Sequence, residues 1–126
     1  MSNPLIHAER SAKTWGGSAH DYLAVHQWFD ATKAHLPDNR HRMLLHNSFG
    51  MLLAEQVFGL AISNSLDRRV FVRDLAARHI MEDLGFIPTV QECLEGLPLQ
   101  PWMAGALRLV PSSRERFPVL AESPAS

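Results

Sequence analysis

The sequence predicts a mostly α fold of four to five helices, with a central antiparallel helix pair and one small β-hairpin. Apolar residues recur at helical spacing over several long segments, glycine and proline separate these segments, and one short segment is rich in β-branched residues on both sides of a polar turn. A chain of 126 residues is long enough for one domain with its own core. We expect a single helical domain over residues 1–103 and a mobile C-terminal tail over residues 104–126.

The first two helices are predicted from their caps. Asn3 can cap the first helix, with Pro4 in its first turn and Gly16 at its end. The second helix should begin after Ser18 and run for about sixteen residues, until the residues before Pro37, because a residue that precedes proline avoids the α region. These signals place a helix on each side of Gly16.

A third helix is predicted over residues 40–58, after Asp38 as its cap and before Gly59 as its stop. The turn before it is short, so the second and third helices should form the central antiparallel pair. Gly50 would lie inside the third helix, where glycine costs about 1 kcal/mol relative to alanine. A close helix crossing, or clearance for a ligand beside His46, would account for it.

The remaining elements are shorter. Residues 60–62 and 70–72 flank a polar turn and predict the hairpin, which must rest on the helices because two strands alone are marginal. A fourth helix is expected over residues 74–84, ended by Gly85, and a short fifth helix from Thr89.

Composition excludes several classes of function. The net charge of −1 gives no bulk attraction to nucleic acid or to an anionic membrane. The single cysteine, Cys93, excludes an intramolecular disulfide and any metal site built on paired cysteines. The chain shows neither a signal peptide nor an apolar segment of the ~20 residues that a membrane span needs, so we expect a cytoplasmic protein.

Histidine and aspartate are paired twice at the spacing of one helical turn. His26 precedes Asp30 by four residues, and His79 precedes Asp83 by four, so each pair shares one helix face. Two facing pairs would supply four nitrogen and oxygen ligands to a divalent metal, for which zinc, iron or manganese are the candidates without sulfur. Such pairs also occur as ordinary hydrogen bonds, and a polar histidine core without metal is the alternative.

Other histidines can be sorted by their position on the predicted helices. His41 and His46 are five residues apart, which turns them about 140° from each other on one helix, so only one of them can face the site. We expect His46 to point inward and His41 to face solvent or an anion. His7 could add a further nitrogen from the first helix. The candidate metal ligands are His26, Asp30, His46, His79, Asp83 and His7.

No motif names a reaction, and no residue is assigned a catalytic role. If the protein is an enzyme, a metal-activated water attacking a phosphate or ester is the expected chemistry, with Lys33, Arg42 and His41 binding the anion. One alternative is a non-enzymatic accessory protein of phage or mobile-element origin, with a polar histidine core, that binds a small molecule or a host protein. A second alternative is a protein that binds an anionic nucleotide without metal through Arg40, His41, Arg42, Arg68 and Arg69. A homodimer is also possible, because the apolar residues Trp28, Phe29 and Phe49 exceed what one small core needs.

Several long segments carry a resemblance: HAERSAKTWGG, DYLAVHQWFDATKAH, RHRMLLHNSFGMLLAEQVFG and RHIMEDLGFIPTVQECL, with ISNS and QPWM between and after them. In this order they resemble a family of short bacterial and phage-encoded proteins of unknown function, over about residues 5–103. The pattern of that family includes residues that match His7, His26, Asp30, His41, His46, His79 and Asp83, but no activity is attached to the family. The family commonly has a second histidine after the one that matches His46, where this chain has Asn47; if that doublet binds metal, the resemblance implies an altered site here.

Overall fold

A computed structural model of the protein describes residues 3–36 and 38–105. In these residues the chain forms six α-helices, short 3-10 turns and one two-stranded antiparallel sheet, which confirms the predicted mostly α fold with a hairpin. The helices are α1 Pro4–Trp15, α2 His20–Asp30, α3 Arg42–Leu45, α4 Ser48–Phe58, α5 Val72–Leu84 and α6 Val90–Leu94, and the strands are β1 Ala61–Ser63 and β2 Arg69–Phe71.

The chain divides into two units, Met1–Leu94 and Glu95–Ser126. All six α-helices and the sheet belong to the first unit. The described part of the second unit contains one 3-10 helix, Pro101–Ala104. The tail predicted over residues 104–126 lies outside the described residues from position 106 onward.

Helix α1 has the predicted ends, and α2 is shorter than predicted. The Asn3 side chain accepts a hydrogen bond from the Ile6 amide at 3.0 Å, and Gly16 ends α1 with φ of 90°, a conformation that favours glycine. Helix α2 stops at Asp30 and continues as a 3-10 turn, Ala31–Ala34. Pro37, the predicted helix breaker, is outside the described residues.

The prediction of one helix over residues 40–58 is wrong. A 3-10 turn, Asn39–His41, leads into α3, and the chain leaves helical geometry at His46, whose φ and ψ are −82° and 62°. Asn47 then caps α4, because its side-chain oxygen accepts a hydrogen bond from the Gly50 amide at 2.8 Å. This break also accounts for the glycine at position 50. A Cβ on Gly50 would overlap the carbonyl of Leu45, because the backbones of α3 and α4 approach each other closely there.

Helix α5 begins directly after the second strand of the hairpin. Ile62 lies opposite Val70 in the sheet, and the Asn64 side chain holds the turn by accepting hydrogen bonds from the Leu66 and Arg68 amides. Helix α5 begins two residues earlier than the predicted position 74, and Gly85 ends it with φ of 84°.

Helix α5 is the element against which the others pack. The most extensive helix contacts join α1 to α2 and α4 to α5, and α5 also contacts α1 and α2. The predicted pairing of the second and third helices is present as smaller contacts, of α2 with α4 and of the 3-10 turn Ala31–Ala34 with α3. The largest fully buried apolar side chains include Tyr22, Phe29, Leu75 and Ile80. One face of α5 therefore meets residues from α1, α2 and the α3–α4 break. Across the described residues, no helix has the length and apolar character that crossing a membrane requires.

Candidate metal centre

Four buried side chains from three parts of the fold meet at one point. Asp30 stands at the end of α2, His46 at the break between α3 and α4, and His79 and Asp83 on consecutive turns of α5. Both histidines are fully buried, and the aspartate side chains are only 7% and 3% exposed. One ligand atom of each residue lies within 4.8 Å of the other three. The group could therefore hold a metal ion.

The separations within the group match the geometry of a small metal ion. His46 Nε2 is 2.9 Å from Asp83 Oδ2 and 3.7 Å from Asp30 Oδ1. His79 Nε2 is 3.3 Å and 3.4 Å from the same two oxygens. A tetrahedral ion with metal–ligand distances of roughly 2.0–2.2 Å separates its ligand atoms by roughly 3.3–3.6 Å. The four nitrogen–oxygen separations, 2.9–3.7 Å, bracket this range.

Unsatisfied polar atoms mark the same place. Within residues 3–36 and 38–105, His79 Nε2 and Asp30 Oδ2 are buried without a hydrogen-bond partner. Buried polar atoms in proteins are almost always partnered, because an unpaired one costs about 1–3 kcal/mol. The donor set is one that zinc, iron and manganese accept. The residues present therefore fit a divalent cation.

Both carboxylates are held in the ionised form. Burial alone would raise the pKa of Asp83, but hydrogen bonds from His46 and His7, together with the nearby ring of His79, hold it far below its usual range. The pKa of Asp30 is also lowered, because its interactions with His79 and His46 outweigh the effect of burial. In contrast, burial lowers the pKa of His46, which keeps its ring neutral and able to bind a metal.

The structure does not bring His26 and His7 into this group, although both were predicted as ligands. His26 lies behind His79, with its Nδ1 at 2.9 Å from His79 Nδ1 and its Nε2 at 2.8 Å from Ser11 Oγ. Burial, followed by the neighbouring histidines, lowers the pKa of His26 to about 3. Both ring nitrogens of His26 are therefore already engaged.

His7 lies beside the group and supports Asp83. Its Nδ1 is 2.6 Å from Glu82 Oε1, and its Nε2 is 3.1 Å from Asp83 Oδ1. Burial would lower the pKa of His7, but these two hydrogen bonds outweigh it and raise the pKa above the ordinary 6.5. His7 thus donates a hydrogen bond to the Asp83 oxygen that does not contact His46. This bond fixes the orientation of the Asp83 carboxylate.

The prediction that His41 faces solvent is wrong. Its side chain is buried, and its ring lies 5.7 Å from that of His46 between centroids. The Thr32 hydroxyl donates to the His41 carbonyl at 3.1 Å, so its oxygen can only accept from His41 Nδ1, which is also 3.1 Å away. Burial lowers the pKa of His41. The predicted role of His41 in anion binding remains untested.

The two predicted cationic residues differ in their position. Arg42 lies beside the group, with Nη2 at 3.7 Å from Asp83 Oδ1 and with a side chain that is 17% exposed. Of the atoms in the described residues, Arg42 Nε is another that is buried without a partner. Lys33 is half-buried in the 3-10 turn after α2. Of these two residues, Arg42 is the one that a measured distance places beside the candidate metal centre.

Sequence reasoning missed two hydroxyl residues that hold the histidines. Ser11 follows His7 by four residues, so the two share one face of α1, and this spacing is a signal that could have placed Ser11 near the site. Thr32 lies in the 3-10 turn, and no spacing in the sequence relates it to His41.

Comparison with known proteins gives a family without an activity. A family model described as a domain of unknown function (DUF6915) matches residues 2–103. No curated protein and no solved structure matches the chain.

Proposed function

From the geometry of the site, we propose that this chain, which belongs to the DUF6915 family of unknown function, is a small cytoplasmic protein that binds one divalent metal ion. The ligands are Asp30, His46, His79 and Asp83. One observation carries this proposal: the Nε2 atoms of both histidines lie 2.9–3.7 Å from the same two carboxylate oxygens in a buried region. Two carboxylates in one buried region repel each other, and a cation bound between them offsets this repulsion.

The number of ligands bears on the kind of metal site. Four protein ligands complete the coordination of zinc, which is then structural and has no open position. Iron(II) and manganese(II) accept further ligands, so the same four residues leave room for water. The single cysteine of the sequence, Cys93, is not one of the four ligands. A site without sulfur ligands is compatible with all three metals.

Metal analysis of untagged protein tests this proposal. After incubation with zinc, manganese or anaerobic iron(II) and removal of free ions, we expect about one metal ion per chain, because a four-ligand site retains its ion. His79→Ala should lose the ion. His20→Ala should retain it, because His20 is an exposed histidine outside the group. Less than about 0.2 ions per chain with every metal would contradict the proposal and favour a metal-free histidine core.

Metal-dependent hydrolysis of a phosphate or carboxylate ester is a second candidate function. The observation that favours it is Arg42, whose guanidinium stands beside Asp83 with a buried Nε that has no partner in the described part of the chain. Arginine binds phosphate and carboxylate groups through two parallel hydrogen bonds. Arg42 would hold an anionic substrate beside the four ligands, and an ion held by these ligands would supply the activated water for hydrolysis.

Arg42→Met tests this second candidate with the manganese-loaded protein and p-nitrophenyl phosphate. We expect a 10- to 100-fold fall in kcat/KM, because a hydrogen bond to a charged group contributes about 1.5–3 kcal/mol. Arg40→Met is the matched control, since Arg40 is exposed and pairs with Asp38. Equal rates for the two variants, or no metal-dependent hydrolysis, would exclude this role for Arg42.

A further inference from the structure

A chain of three buried side chains runs away from the candidate metal centre. His79 Nδ1 is 2.9 Å from His26 Nδ1, and His26 Nε2 is 2.8 Å from Ser11 Oγ. All three residues are fully buried, and they come from α5, α2 and α1. The two imidazole rings are nearly parallel, with centroids 5.1 Å apart. We call these residues the Ser11–His26–His79 chain.

The geometry of this chain limits where its protons can lie. A nitrogen–nitrogen separation of 2.9 Å is a hydrogen bond, so one Nδ1 atom carries a proton and the other offers a lone pair. If His79 Nδ1 carries the proton and donates the hydrogen bond, then His79 Nε2 is unprotonated. In that case His26 Nε2 carries a proton and donates a hydrogen bond to Ser11 Oγ. In the reverse order, His79 Nε2 would carry a proton and could not bind a metal; the Asp30 and Asp83 oxygens lie 3.4 and 3.3 Å from it, but neither makes a hydrogen bond with it.

We propose that Ser11 and His26 are positioning residues, which hold the proton of His79 on Nδ1 so that its Nε2 lone pair faces Asp30 and Asp83. This inference rests on the proposed metal binding, because it assigns the tautomer that a metal ligand needs. Neither residue touches the ion. Ser11 orients His26, and His26 orients His79.

Support of this kind has a measurable effect on metal affinity. A histidine that binds metal generally donates its other ring nitrogen to an acceptor, and loss of that acceptor weakens binding by about 10- to 100-fold. Here the acceptor is an imidazole, which must itself be in one tautomer to accept. The hydroxyl of Ser11 supports that tautomer, because it can accept a hydrogen bond from the far nitrogen of His26.

Metal titration of matched variants tests the positioning role. We expect the dissociation constant for zinc to rise about 10- to 100-fold in His26→Leu, which removes the acceptor. His26→Asn should recover part of this loss, since its side-chain oxygen can accept in place of Nδ1. Ser11→Ala should weaken binding in the same direction, and Thr14→Ala should not, because the Thr14 hydroxyl bonds only the Arg10 carbonyl on the same helix. Equal affinities for Ser11→Ala, His26→Leu and Thr14→Ala would overturn the proposal.

Nitrogen-15 NMR of the metal-free protein separates this inference from metal binding itself. The ring nitrogens of His79 should show a protonated Nδ1 and a bare Nε2, and Ser11→Ala should increase the opposite tautomer. A proton on Nε2 of His79 in the wild-type protein would overturn the positioning role, whatever the metal content. If the protein holds no metal but His79 has the expected tautomer, then the metal proposal fails and the hydrogen-bond chain remains.

Discussion

Asp30→Asn is expected to lower the affinity for a divalent metal by more than about 100-fold, since the loss of a supporting residue alone costs about 10- to 100-fold. The substitution keeps the shape of the side chain and removes one of the two negative charges at the site. Asp30 suits this test because its Oδ2 has no partner among the described residues, and its Oδ1 faces only the two histidines of the group. The change therefore removes little besides the ligand.

Thermal or urea unfolding with and without metal measures this effect. With free metal at about 1,000 times the wild-type Kd, binding should raise the free energy of unfolding by about 4 kcal/mol, and a variant with 100-fold weaker binding should gain less than about 1.5 kcal/mol. Asp67→Asn is the matched control, because Asp67 is exposed and its positive φ of 62° is one that asparagine also adopts. An equal gain in Asp30→Asn and Asp67→Asn would exclude Asp30 as a ligand.

Gly50→Ala is expected to destabilise the fold by about 3 kcal/mol or more, at the upper end of what overpacking a core costs. The new methyl group would overlap the Leu45 carbonyl, and a backbone atom cannot move aside as a flexible side chain can. Relief requires α3 and α4 to separate at His46. The substitution should therefore also displace a metal ligand and lower the metal affinity.

Urea unfolding of the metal-free protein tests the stability change. Gly96→Ala is the control, since a Cβ at Gly96 meets no atom within 4 Å, and its stability should stay within about 0.5 kcal/mol of wild type. Similar free energies of unfolding for Gly50→Ala and Gly96→Ala would contradict the tight joint between Leu45 and Gly50.

Local signals predicted most of the fold. Asn3, Gly16 and Gly85 act as the caps that their residue types suggest, and the hairpin forms around its polar turn. The break at His46 was not predictable from apolar spacing, because apolar residues continue on both sides of it. What ends the helix there is a side-chain cap by Asn47 and a close backbone contact at Gly50, and both depend on the folded chain.

The same break limited the prediction of the site. The pair His79 and Asp83 was predicted from one helical turn, and Asp30 and His46 were also identified. If residues 40–58 formed one continuous helix, His41 would point away from His46. In the structure both histidines are buried, and their rings are perpendicular. Helix faces alone could not distinguish ligands from supporting residues. His26 lies on the predicted face, but Ser11 and His79 occupy its nitrogens, and only the packing of α1 and α5 on α2 shows this.

Anomalous X-ray diffraction from crystals grown with zinc or manganese tests the central claim most directly. We predict one peak among His46 Nε2, His79 Nε2 and one oxygen each of Asp30 and Asp83, at roughly 2.0–2.2 Å from these atoms. A structure without a peak at this position, in which the two histidines donate directly to the two carboxylates, would contradict it.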